Sequence, residues 1–396
     1  MKNFKKLSAL VLAGAMVFSL AACGGGNAET PAPETTTPTE SGAPAETTPA
    51  TDMKVAMITD YGDITDQSFN QTTYEACNEF CTANSVEFTY YKPAGDSTAE
   101  RVAMVDAAVA EGYNVIVMPG YAFAETIKET ADMYPDVTFI ALDVGEGDLG
   151  ADYTVPSNVY CAVYQEELCG YMAGYAAVKL GYTHLGFLGG MAVPAVQRYG
   201  YGFIQGADAA AVELGNGADV TVEYVYGNQF FGDADITAYM DNWYQTQGVE
   251  VVFACGGGIY TSAAEAAAKV GGKVIGVDVD QAGIIDAYGE GMTVTSAMKG
   301  LANTTKHLLQ ETMDGNFANY GGQIETLGLV SGDDPTANYV QLPMESTQWS
   351  DSFTQDNYKA LVAGMFDGTI TVSNDVSVAP ADNATAITVN AYDNIK

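Results

Sequence analysis

The sequence predicts an α/β body of two similar lobes, each built on a parallel sheet. Short apolar runs alternate with segments of helical spacing from Val55 to about Met313. Such βα repetition makes a parallel sheet with crossover helices. The repetition comes in two successive sets of similar size, the second opening at His184. Polar, glycine-containing turns follow the apolar runs, and in open α/β sheets the carboxyl ends of the strands are where ligands bind.

The N-terminus reads as a targeting segment. Lys2, Lys5 and Lys6 precede a mostly apolar run over 7–20, too short for a permanent span. Leu20-Ala21-Ala22-Cys23 follows, with Gly24 to Gly26 after it. Residues 1–22 are therefore expected to be a signal peptide, with Cys23 as a lipidated residue in the manner of the bacterial lipobox. The stretch 27–52 is Thr, Pro, Glu and Ala with almost no large apolar side chain. It cannot bury enough surface to offset the entropy of ordering, so 23–52 is expected to act as a tether. The expected location is the outer face of the cytoplasmic membrane, with the lipid as the only membrane contact.

The net charge of −35 argues against nucleic acid and against anionic headgroups as partners. Five cysteines follow Cys23, and only two histidines exist, His184 and His307. No spacing resembles a metal site, and the cysteines are expected to be buried free thiols. No cofactor, metal or catalytic residue is expected.

In the first set, strands are expected at 55–58, 86–91, 115–118, 137–142 and 158–163. Between them, helices are expected from about Gln67, at 98–111 and at 123–134. Val102, Val105, Ala108 and Val109 share one face of the second of these. A helix over 165–179, rich in Ala and Gly, leads onward. The second set has strands at 184–188, 220–226, 251–254 and 274–277, with helices at 195–214, 234–247 and 261–270. A helix at 282–288, a strand at 293–297 and helices at 301–313 and 355–365 complete the reading. The expected domains are 53–160 plus about 282–372 for one lobe and 161–281 for the other. Residues 373–396 are expected to be a loosely docked tail.

The turn over 59–71 organises the rest. Asp60 stands just past the first strand, Asp66 is placed to cap the helix that follows, and Phe69 offers a ring one turn in. An acid and an aromatic face suit a flat, polar, uncharged ligand. Similar turns carry Gly120-Tyr121, Asp143, Gly189-Gly190, Phe230-Phe231, Gly256 to Gly258, Asp278 and Lys299. Arg198 fits either a solvated surface charge or a group reaching the cleft. Asp278 and Lys299 fit either a ligand contact or a mutual structural pair.

These motifs resemble one family. Thr59-Asp60-x-Gly62-x-x-x-Asp66-x-Ser68-Phe69-Asn70-Gln71, Gly189-Gly190-Met191 with Gly202-Phe203, and Gly276-Val277-Asp278-x-Asp280-Gln281 are similar to the basic membrane protein family. Its members are lipoprotein solute-binding components of ABC importers and include bacterial purine nucleoside receptors. The resemblance spans roughly 54–330. It implies a type I periplasmic-binding fold, two Rossmann-like lobes joined by a hinge, with a nucleoside held between them and delivered to a permease and its ATPase. It implies that Phe69 and Phe230 stack on the base, and that Asp60 and Asn70 bind the base edge, helped by Tyr121 and Asp143. Gly257, Asp278 and Lys299 would take the ribose. Around Phe230-Phe231-Gly232 the chain departs from the family pattern, so either phenylalanine fits the stacking role. A monomer is expected. The rival readings are a sugar or signal-molecule receptor of the same fold, and a secreted nucleoside-processing enzyme, for which no nucleophile–base set is visible.

Overall fold

The structure is a computed structural model that describes residues 52–396. The expected signal peptide, the lipidated Cys23 and all but the last residue of the tether lie outside the described residues.

Five strands of the first set form one parallel sheet: β1 (Lys54–Ile58), β2 (Glu87–Tyr91), β3 (Val115–Pro119), β4 (Thr138–Leu142) and β5 (Val159–Tyr164). A second parallel sheet holds β6 (His184–Gly189), β7 (Thr221–Tyr226), β8 (Val251–Cys255), β9 (Lys273–Asp278) and β10 (Thr293–Lys299). Three later strands extend these sheets, β11 (Gln323–Leu327), β12 (Val340–Gln341) and β13 (Thr388–Ala391). The orders are β11-β5-β4-β3-β1-β2 and β12-β10-β9-β8-β6-β7-β13. Position for position, the two sets are wound alike: each runs second, first, third, fourth, fifth strand. All pairs are parallel except β10 with β12.

Helices α1 (Phe69–Asn84), α2 (Thr98–Ala110), α3 (Ala124–Thr130) and the short α4 (Glu146–Leu149) connect the first set. After α5 (Glu166–Lys179), the second set uses α6 (Pro194–Leu214), α7 (Ala234–Asn242), α8 (Tyr260–Ala268) and α9 (Ala282–Ile285). The remaining helices are α10 (Leu301–Met313) and α11 (Gln355–Phe366). Strand alternation sends neighbouring residues to opposite faces. Val55 and Met57 of β1 join one core cluster, while Ala56 and Ile58 join another. A third cluster, with Leu188, Val225 and Val252, packs under the α7 and α8 side of the second sheet. Burying one such aliphatic side chain contributes about 1.5–3 kcal/mol.

The expected lobe boundaries need correction. β5 pairs with β4 through Leu142↔Ala162, so the first lobe extends to Tyr164 rather than ending at 160. β10 pairs with β9 through Ala297↔Val277, which places 282–299 in the second lobe. The chain returns only after Lys299, through α10, which packs on α1, to β11 beside β5. β12 then pairs with β10, and α11 packs on α5, so 340–366 also belong to the second lobe. Three segments thus cross between the lobes. Residues 373–396 are not a loose tail either. β13 pairs with β7 through Thr388↔Thr221 to Ala391↔Tyr224.

Helices α5 and α6 touch backbone to backbone. A Cβ on Gly174 would fall far inside contact distance of the Phe203 carbonyl oxygen, and one on Gly202 would do the same to that of Glu167. The Gly-rich character of these helices is therefore a packing requirement. Among the described residues, no helix is long and apolar enough to cross a membrane. Cys77, Cys81, Cys161, Cys169 and Cys255 are free and buried.

Candidate ligand-binding cleft

The carboxyl ends of both sheets face one cavity of about 840 Å³. Asp60, Phe69, Asn70, Tyr121, Asp143, Phe230, Gly257, Asp278 and Lys299, drawn from both lobes, all line it.

On the first lobe, Asp60 follows β1. Its Oδ1 accepts the N–H groups of Tyr61 and Gly62, each at 2.7 Å. Burial pushes the carboxyl above its usual range, and these two N–H bonds pull it back only in part. The helix α1 starts at Phe69, two residues later than its expected start, so Phe69 is the first helical residue. Asp66 caps it from outside, accepting from Ser68 N (2.9 Å), Asn70 N (2.9 Å) and Gln71 N (3.0 Å). That capping orients Phe69 and Asn70 toward the strand ends. Tyr121 opens a short turn after β3.

Asp143 and Asp278 hold equivalent places, at the ends of the fourth strand in each set. Both have left-handed backbones, φ 59° and 65°, a conformation that Asp tolerates better than most residues. Between them sits Lys299, its side chain only 2% exposed. Its Nζ lies 2.6 Å from Asp143, 3.4 Å from Glu166 and 3.8 Å from Asp278. It also lies 4.8 Å from the Phe69 ring centroid and 5.6 Å from that of Tyr199. Burial alone would lower its pKa, but the three carboxylates outweigh burial and the net shift is upward. Desolvation raises the Asp278 carboxyl, opposed by Lys299 and by Ser68.

The Asp278–Lys299 pair, one of the two alternatives for these residues, exists, but it is the longest of the three. Asp278 leans instead on Ser68 Oγ at 2.6 Å and Tyr199 OH at 3.4 Å. Ser68 belongs to the other lobe, so this bond spans the cleft, as do Lys299–Asp143 and Gln281 Nε2 to Gln67 O at 3.1 Å. Asp143 Oδ1 and Asn70 Oδ1 are buried acceptors with no hydrogen-bond partner among the described residues. Unmet acceptors in a cavity wall suit a ligand that brings O–H and N–H donors.

Phe230 lies against glycine. A Cβ on Gly256 would come 2.8 Å from its ring, and one on Gly190 closer still. Phe231 is 56% exposed, so of the two phenylalanines Phe230 is the packed ring. Arg198 is not a solvated charge: its Nε donates to Glu166 at 2.7 Å, with Glu166 fully buried. Burial raises the Glu166 carboxyl, and Arg198 and Lys299 act against that rise. The sequence reading missed Glu166. Acids opening a helix ordinarily face water and favour the positive helix end, and only the two isolated cations nearby hinted at a buried partner.

A model of the Bmp family, described as ABC transporter substrate-binding protein, PnrA-like, matches residues 53–334. The chain belongs to this family. As a Bmp protein it has relatives of moderate identity. The ABC transporter nucleoside-binding protein BmpA of Lactococcus lactis subsp. cremoris is 27% identical over 300 residues, covering 71% of this chain and 80% of that protein. Basic membrane protein B of Borreliella afzelii is 26% identical over 287 residues, covering 71% and 79%. An ABC transporter solute-binding protein from Aeropyrum pernix K1 has a similar structure, with TM-score 0.61 and 22% identity, covering 82% of this chain and 88% of that one. Another from Conexibacter woesei gives TM-score 0.62 at 22% identity, covering 81% and 99%. The Bmp chain thus has the type I periplasmic-binding fold of ABC-importer solute-binding proteins. That family works outside the cytoplasm, and its members bind substrates rather than transform them.

Proposed function

We propose that this Bmp protein captures a nucleoside, of the purine class, between its lobes and passes it to an ABC permease. The observation that carries the reading is the shared cavity, whose walls hold the rings of Phe69, Phe230 and the more exposed Phe231, the acids Asp60, Asp143 and Asp278, and the buried cation Lys299. A planar base would stack on Phe69 and Phe230, and stacking contributes about 1–3 kcal/mol per base. Asp60 and Asn70 would bind the base edge. Asp143, expected with Tyr121 to help at the base edge, has its Oδ1 free and is assigned here to a ribose hydroxyl instead, with Asp278 and Lys299 beside it and Gly257 allowing close approach. Charge-assisted hydrogen bonds of this kind contribute roughly 1.5–3 kcal/mol each. Micromolar or tighter binding follows after ordering costs.

Cys23 would carry the lipid, residues 23–52 would act as the tether, and the body would work as a monomer at the outer face of the cytoplasmic membrane. The permease and its ATPase are the protein partners in this reading. Mass spectrometry of small molecules released from freshly purified protein, followed by calorimetry, tests the ligand. A purine nucleoside in the extract, bound at micromolar strength or better, is expected. Binding of hexoses or pentoses with no response to any nucleoside would overturn the proposal.

A further inference from the structure

Residues 373–396 lie beyond the stretch matched by the family model, yet they are fastened to the second lobe along their length. Gln205 on α6 exchanges hydrogen bonds with the Ser373 backbone at 2.8 and 2.9 Å. Val376 joins the cavity wall. Tyr201 OH donates to Val378 O at 2.9 Å. Asp208 accepts from Ala386 N at 2.7 Å and Ile387 N at 3.1 Å. β13 then covers the β7 edge of the sheet, and Tyr392 OH donates to the buried Glu223 at 2.6 Å.

Beyond β13 the chain reaches the loop that bears Phe230. Ile395 N–H donates to Tyr226 O at 2.9 Å. Lys396 Nζ pairs with Asp233 at 2.5 Å and with Asp235 at 3.4 Å. Tyr226 ends β7, and Asp233 caps α7 by accepting from Asp235 N and Ile236 N. These two residues flank residues 227–232, the segment that holds Phe230. Inside that segment the backbone is held at Gly227 N to Gly189 O, Asn228 N to Gly190 O and Gly258 N to Phe230 O, each at 2.8 Å, and at Phe231 O by Gln229 Nε2 at 2.9 Å. We infer that residues 387–396 are a strap that staples both ends of this loop, so that Ile395 and Lys396 act as positioning residues for the Phe230 ring. This rests on the reading of Phe230 as a wall of the ligand site.

The test uses the full chain with Lys396→Glu, which sets a like charge against Asp233 and Asp235, and with Lys396→Arg, which keeps the pairing. Hydrogen–deuterium exchange of the ligand-free proteins reads the loop directly and needs no ligand. Lys396→Glu is expected to speed exchange at 227–233 several-fold, with β1 to β5 unchanged and Lys396→Arg like the parent. Dissociation of a purine nucleoside, followed by stopped flow, is expected to quicken several-fold in Lys396→Glu and to recover in Lys396→Arg. Unchanged loop exchange in Lys396→Glu and in a chain lacking 387–396 would overturn the strap. A looser loop with an unchanged nucleoside dissociation rate would overturn its positioning role. A looser loop in a protein whose parent binds no nucleoside would sustain the strap and count against the nucleoside reading instead.

Discussion

At the scale of single residues, the cleft mixes groups free to meet a ligand with groups already committed. Phe69 is of both kinds, since its ring lines the cavity and also faces the Lys299 ammonium. Phe69→Ala should cost about tenfold or more in purine nucleoside affinity by calorimetry, the lower end of the stacking range. A free sugar should lose little, and equal losses would argue against stacking. Glu167 gives a second prediction. It is buried beside Glu166, Oε2 has no partner among the described residues, and burial followed by the Glu166 charge raises its pKa to about 7. The folded state then holds a proton that the unfolded state releases near the ordinary carboxylate pKa. Stability should fall as pH rises from about 4.5 to about 7, and the loss is complete above that. Glu167→Gln should therefore stabilise the protein at pH 8 by about 3 kcal/mol and have little effect at pH 4. Urea unfolding at both pH values checks it, and an equal shift at the two would reject the assignment.

At the scale of elements, the α5–α6 contact is the most demanding. Gly174→Ala would drive a methyl into the Phe203 carbonyl, a backbone group with nowhere to retreat. A loss of about 1–3 kcal/mol or more is expected in urea unfolding, whereas Gly181→Ala meets no neighbour within 4 Å and suffers only for its positive φ. The helix pair was legible as helices from spacing, but its closeness was not, because Gly reads equally as a weak helix former. The same division runs through the strands. Central strands such as 115–119 and 251–255 are buried along their whole length, and continuous apolar runs announced them. β11 reads QIETL and β13 reads TVNA. Both are edge strands with polar residues facing water, so neither carries an apolar run to find. The membership of β10 was hidden for another reason, since long-range pairing leaves no mark in local periodicity. The candidate residues of the cleft were legible because Asp60, Phe69, Asn70 and Asp278 lie in family motifs and the others stand at or just past strand ends. Glu166 also follows a strand, two residues past the end of β5, but it lies in none of the family motifs.

At the scale of the whole molecule, two sheets of matching strand order meet at their carboxyl ends, with three crossings as the hinge. Hinge closure on ligand is the expected mode of action. Small-angle scattering should show a smaller radius of gyration with a bound nucleoside than without one. An unchanged radius at saturating ligand would argue for a preformed, rigid site.

The position of Lys299 bears on how the protein lets go. Of the three carboxylates around its ammonium, Asp143 stands in the first lobe, while Glu166 and Asp278 share the second lobe with Lys299. Parting the lobes removes one counter-ion and leaves two. The ammonium never becomes a lone buried charge, a state that costs several kcal/mol. Parting the lobes would therefore separate Lys299 from its nearest carboxylate, Asp143, while leaving it paired within its own lobe.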